Sequence, residues 1–257
     1  MKDTTTFGVI GAMESEVARL RGALENVETR EYAGLTFHSG TLGARRVVLA
    51  RCGVGKVNAA RCAQIMIDRY SPDCIVNTGI AGGVGAGLAI ADVVVGTELV
   101  QHDFDVTALG CARGNLCEPE HRDTPTVFRS DAALAAAFRK AAEALVGAAR
   151  VKTGRIATGD LFVASAEAKR DLAETFGALA AEMEGGAIAQ VAAAAKVPFV
   201  VVRAISDLAD GGSPASFDQF ARETAELSAR ILMDLIFEGL SHNAPRAYHG
   251  FFGGNCD

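Results

Sequence analysis

Cys74-Ile75-Val76-Asn77-Thr78-Gly79-Ile80-Ala81-Gly82-Gly83-Val84-Gly85-Ala86-Gly87 is the stretch that decides the fold of this 257-residue chain. Its opening, Cys74 to Asn77, is a short apolar run of the kind found in a strand covered on both faces. The glycine-dense remainder reads as a loop at the end of that strand, where backbone without Cβ atoms can approach a ligand closely. A buried strand running into a ligand loop is the repeating unit of an α/β sheet.

The flanking sequence repeats that unit. Upstream, Phe7-Gly8-Val9-Ile10-Gly11 is an apolar run followed directly by helical spacing from Met13 to Leu20. Residues 35–40 and 45–52 are β-rich runs joined by Thr41-Leu42-Gly43-Ala44, a hairpin-like connection that makes part of the sheet antiparallel. Residues 56–70 read as a helix. Downstream, residues 92–95 resume the sheet, and 101–130 are polar and turn-rich, a long loop or lid. Residues 131–146 form an alanine-rich helix with Leu134, Phe138, Ala142 and Leu145 at helical intervals. A strand at 151–157 and helices at 167–176 and 185–195 lead to a second buried strand at 197–205, which ends in Ser206-Asp207. A last helix runs from Phe217 to Leu240. The alternation predicts one α/β domain over residues 1–240 and a flexible tail at 241–257, where Gly, Asn, Pro and aromatics follow no period.

With 49% hydrophobic and 22% charged residues and a net charge of −6, the composition is that of a globular protein. It excludes a dedicated nucleic-acid or anionic-membrane surface, both of which need clustered Lys and Arg. No run approaches the roughly 18 apolar residues of a membrane span, and Met1-Lys2-Asp3-Thr4-Thr5-Thr6 has no apolar leader segment, so a cytoplasmic location is expected. The six cysteines have no paired spacing and are expected reduced. Cys111, Cys117 and His121 lack a fourth metal ligand nearby, so no metal is expected.

Two phosphate motifs fail on spacing. Gly53-Val54-Gly55-Lys56 ends like a P-loop, but Ala50 stands where the first glycine belongs and Val57 follows the lysine. Gly83-Val84-Gly85 would need a third glycine where Leu88 stands. The five histidines form no catalytic pattern, and Gly-x-Ser-x-Gly is absent. Carboxylates remain. Glu16, Glu184 and Asp207 each follow an apolar strand run, where burial would raise a carboxyl toward a working pKa. Each one alone is more often a helix cap or a first-turn acid complementing the dipole. Carboxylates working without metal or cofactor point to acid/base cleavage of an acetal-like bond, including N-glycosides.

Four stretches carry a resemblance: Ile10-Gly11-Ala12-Met13-Glu14-Ser15-Glu16-Val17, Asn77-Thr78-Gly79-Ile80-Ala81-Gly82-Gly83, Ala181-Glu182-Met183-Glu184, and Phe199-Val200-Val201-Val202-Arg203-Ala204-Ile205-Ser206-Asp207. In order, from about Phe7 to Leu240, they resemble the 5′-methylthioadenosine/S-adenosylhomocysteine nucleosidases of the purine nucleoside phosphorylase superfamily. The resemblance implies a three-layer α/β/α domain around a central mixed sheet, usually a homodimer. It also implies cofactor-free hydrolysis of the bond between adenine and a 5′-thio-substituted ribose, in methionine salvage and recycling of S-adenosylmethionine by-products. By motif position, Glu16 would activate the attacking water and Asp207 would protonate adenine N7. Glu184 would hold the ribose hydroxyls, Met183 would pack on the sugar, and Phe162 and Val163 would border the base. Ser206 and Arg203 would support Asp207 and the water region. Glu182, Ala81, Gly82, Val54 and Phe217 complete the expected substrate-contacting set.

Phosphorylases of the bacterial hexameric type resemble the glycine stretch but carry Arg where Asn77 stands and Ser where Ile80 stands, which favours water over phosphate as nucleophile here. The chain also departs from the nucleosidase pattern. In Asp105-Val106-Thr107-Ala108-Leu109-Gly110-Cys111, a loop that in the family reaches the partner subunit's 5′-substituent pocket, Leu109 and Cys111 occupy commonly aromatic positions. A nucleosidase for another 5′-modified nucleoside, of futalosine type, and a non-catalytic nucleoside-binding relative remain alternatives.

Overall fold

The computed structural model describes residues 5–209 and 214–238. The expected tail, 241–257, lies outside the described residues. In chain order the first elements are β1 (Thr6–Gly11), α1 (Glu14–Ala23), β2 (Glu25–Tyr32), β3 (Leu35–Leu42), β4 (Arg45–Arg51), α2 (Lys56–Tyr70) and β5 (Cys74–Gly83). There follow β6 (Val93–Gln101), β7 (Phe128–Arg129), α3 (Ala132–Val146), β8 (Val151–Thr158), α4 (Ala166–Phe176), β9 (Ala178–Glu182), α5 (Gly185–Ala194), β10 (Phe199–Asp207) and α6 (Pro214–Glu238).

The strands form one mixed sheet. β1 lies between β4 and β5, parallel to both, and β4 continues antiparallel through β3 to the edge strand β2. On the other side, β5 pairs in parallel with β10, β10 antiparallel with β6, and β6 in parallel with β8. β8 pairs with β9, whose end returns to Gly82 and Gly83 of β5. These five strands close a circuit that strand-helix alternation alone does not reveal. Successive residues of each strand face opposite layers. Ile75 and Val201 pack with α2 and α5, whereas Val76 and Val202 pack with α1, α3 and α6. The three-layer α/β/α arrangement is the one the resemblance implied.

Three sequence expectations are corrected. The glycine stretch is strand as far as Gly83, because β10 runs beside residues 75–82 and supplies ladder partners that override glycine's weak strand preference. β2 has no counterpart in the sequence reading: Glu-Asn-Val-Glu-Thr-Arg-Glu-Tyr is exposed along nearly its whole length and shows no apolar alternation, as suits a charged edge strand. The 101–130 segment is less free than a lid. Buried Asn115 donates its side-chain amide to the carbonyls of His121 and Thr124 at 2.7 and 2.8 Å and accepts from the Glu118 amide at 2.9 Å, pinning the loop from inside.

Candidate active site

The carboxyl ends of β1, β5, β9 and β10 surround a cavity of about 250 Å³, the position at which open α/β sheets bind ligands. Glu16 reaches it from one turn inside α1. Its Oε2 accepts the Ala12 and Met13 amides at 2.7 and 2.9 Å, and its Oε1 accepts the Ile80 amide at 3.1 Å. The first-turn reading of Glu16 is therefore correct, and the same carboxylate also lines the cavity. Burial pushes its pKa up from the ordinary value, against the opposing pull of Arg203 and the three amides.

Glu184 and Glu182 divide their work differently. Glu184 is the N-cap residue of α5, yet its side chain does not cap that helix. Its Oε1 accepts the Gly55 amide, 129 residues away, at 2.9 Å. The capping falls to Glu182, whose Oε2 accepts the Glu184 and Gly185 amides at 3.1 and 2.7 Å. Burial, and then the neighbouring charge of Glu182, raise the Glu184 carboxyl to about 7. Glu182 is charge-paired with Arg203, which is 1% exposed and also donates to the Asn77 side chain. A buried pair of this kind leaves a costly lone charge when one member is removed.

Asp207 ends β10 at the cavity edge. Its Oδ1 accepts the Ala209 amide and its Oδ2 the Ser206 hydroxyl, both at 2.9 Å. The guanidinium of Arg203 goes to Glu182 and Asn77, with Glu184 at 4.0 Å, rather than to Asp207. Of the two residues expected to support Asp207 and the water region, Ser206 bonds Asp207 directly, and Arg203 acts through its charge on Glu16. Asn77 donates to the Ile10 carbonyl at 2.9 Å and is 1% exposed, a buried tie between β5 and β1.

Eleven expected residues line the cavity together: Glu16, Val54, Ala81, Gly82, Phe162, Val163, Glu182, Met183, Glu184, Ser206 and Asp207. Arg203 stands behind the wall, and Phe217 falls in the opening of α6, where its side chain lies outside the described residues. Ala12, Met13, Ile80, Leu161 and Ala181 also line the cavity and went unread. Each is adjacent in sequence to an expected residue or motif, and that adjacency was the available signal. Val54, Leu161 and Phe162 form an exposed apolar lip, with Phe162 56% exposed. No Lys or Arg is among the described lining residues, whereas four carboxylates are. Residues 106–111 stay outside this cavity: Leu109, in the turn Thr107–Leu109, is 68% exposed, and Cys111 is half-buried. Among the described residues no cluster of His, Cys, Asp and Glu suited to a metal occurs, and no helix is long and apolar enough to cross a membrane.

The model of the family described as Phosphorylase superfamily matches residues 6–236. The 5′-methylthioadenosine/S-adenosylhomocysteine nucleosidase of Shewanella halifaxensis is 41% identical over 231 residues, 90% of this chain and 98% of its own. The chain belongs to this nucleosidase family. The nucleosidase of Tolumonas auensis is equally similar, 41% identical over the same shares. Among solved structures, the Neisseria meningitidis nucleosidase in complex with methylthio-immucillin-A superposes with a TM-score of 0.85 at 41% identity, covering 91% of this chain and 99% of that one. The S-adenosylhomocysteine nucleosidase of Streptococcus pyogenes in complex with 5-methylthiotubericidin gives 0.85 at 37% identity, covering 93% and 98%. The nucleosidase fold therefore spans the whole cavity wall described above.

Proposed function

We propose that the protein hydrolyses the N-glycosidic bond of 5′-methylthioadenosine and S-adenosylhomocysteine, releasing adenine and the 5′-thioribose, and so serves methionine salvage. The observation that carries this reading is a cavity with four carboxylates and no Lys or Arg among its described lining residues. Glu16 takes a proton from water as its oxygen attacks the anomeric carbon, and Asp207 gives a proton to adenine N7 as the glycosidic bond breaks. The oxocarbenium-like transition state carries positive charge on the sugar, which the surrounding carboxylates stabilise. Glu16 lies against Gly79 and Asp207 against Gly82, three residues apart, or about 10 Å along a strand, leaving room for a nucleoside between them. Glu184 accepts from the ribose hydroxyls, Met183 packs on the sugar, and Phe162 and Val163 border the base.

Water rather than phosphate is the nucleophile. Phosphate would meet these carboxylates with no Lys or Arg among the described lining residues to neutralise it. Arg203 is engaged by Glu182 and Asn77, and the cavity-lining residue that bonds Glu16 through its amide is the apolar Ile80. The nucleosidase domain is taken as residues 1–240 of a cytoplasmic homodimer in which residues 106–111 reach the partner's site.

Incubation with methylthioadenosine, S-adenosylhomocysteine and adenosine, with and without phosphate, tests this directly. Adenine release independent of phosphate is expected, and Asp207→Asn should abolish it while the fold is retained. Absence of release from all three nucleosides overturns the substrate class.

A further inference from the structure

Three segments around the cavity are tied together by a closed ring of three residues that do not themselves line it. Asp160 Oδ1 accepts the Lys56 backbone amide at 2.8 Å, Asp103 Oδ2 accepts the Asp160 backbone amide at 2.8 Å, and Lys56 Nζ donates to Asp103 Oδ1 at 2.6 Å. Each member adjoins a functional segment. Lys56 follows Val54 and Gly55, and Asp160 precedes Leu161, Phe162 and Val163 of the lip. Asp103 precedes the exposed 106–111 loop.

The ring does what local sequence leaves undone. The N-cap residue of α2 is Gly55, which has no side chain to satisfy the helix's first amides. Two carboxylates from distant loops take them: Asp160 accepts from Lys56, and Glu184 accepts from Gly55. The turn is tight, with Gly55 at φ +99°, and a Cβ there would meet Asp160 Oδ1 at 3.0 Å. The Gly55 amide is thus presented to Glu184 by a turn whose next residue is held by Asp160, and Asp160 is held by Asp103.

We propose that the Lys56–Asp103–Asp160 ring is a positioning device for nucleoside binding. It holds the Val54–Gly55 turn against Glu184 and the 161–163 lip over the cavity, while leaving Glu16 and Asp207 untouched. The proposal rests on the nucleosidase reading. The ring is built from loop and helix-end groups, with the Lys56 and Asp103 side chains 18% and 26% exposed, and none of its members belongs to a hydrophobic core cluster, so its loss is expected to register in binding more than in folding. Asp103 accepts two donors through its two oxygens. Asn at that position has one acceptor oxygen and must turn an amide N–H toward the other donor.

The test is steady-state adenine release from methylthioadenosine by Asp103→Asn, Lys56→Met and the double variant, beside the native chain. Each single variant should raise KM at least fivefold, with kcat within twofold of native. The double variant should match the worse single variant, because a ring broken once is already open. Unchanged KM, or a double variant whose effects multiply, overturns the proposal. So does a loss of kcat at constant KM, which is the mark of less folded enzyme. Native protein that releases no adenine overturns the nucleosidase reading and the ring's role together, whereas native release with unaltered variants overturns the ring alone.

Discussion

Glu184 sits where burial and a neighbouring carboxylate both resist its charge, yet the proposed chemistry needs it ionised to accept the ribose hydroxyls. With its carboxyl raised to about 7, kcat/KM should fall as pH drops below about 7, rather than near the ordinary carboxylate range. A pH profile of adenine release checks this, since kcat/KM reports the free enzyme. Stability runs the other way. Between the ordinary 4.5 and about 7, native Glu184 keeps a proton that the unfolded chain has released. Its contribution is full below about 4.5 and is lost as pH rises through about 7. Glu184→Gln should therefore be about as stable as the native chain near pH 4.5 and melt at a higher temperature than it at pH 8. Glu16, Glu184 and Asp207 were legible because each follows an apolar strand run. That Glu16 is both helix cap and cavity wall was not, because its third donor, the Ile80 amide, lies 64 residues away.

At the scale of elements, β5 is where the glycines matter. A Cβ at Gly79 would collide with Oε1 of Glu16, so Gly79→Ala should displace that carboxylate and cut turnover at least tenfold with the circular dichroism spectrum unchanged. Gly22, inside α1, has nothing within 4 Å of its missing Cβ. Gly22→Ala should raise stability by about 0.5–1 kcal/mol in denaturant unfolding and leave turnover alone. The two glycines look alike in sequence. One is needed because the Glu16 carboxylate occupies the space where its Cβ would be, and the other is merely tolerated. The same logic explains the misread strand: glycine reads as loop by local propensity, and only the neighbouring β10 and Glu16 reveal why glycine stands within a strand.

For the whole molecule, the proposed homodimer would have apolar side chains available to cover, since Val57 is 78% exposed, Leu109 68%, and Leu161 and Phe162 more than half. Sedimentation of the native chain at micromolar concentration should give a dimer. Leu109→Asp should shift it toward monomer and lower turnover of methylthioadenosine along with it. A native monomer at working concentration refutes the arrangement.

The sequence by itself determined what depends on near neighbours. The strand and helix periods, the antiparallel hairpin, the helix at 56–70 and the acidic strand ends all follow from local spacing and burial pattern, and the four motifs carried the family. The tertiary structure decided what depends on residues far apart in the chain. The closure of β5, β9, β8, β6 and β10 into a circuit, the diversion of Arg203 to Glu182 and Asn77, and the capping of α2 by Asp160 and Glu184 join groups with no common local pattern. A buried charge or an uncapped amide must find a partner wherever packing brings one within reach, and only the folded chain determines which residues those are.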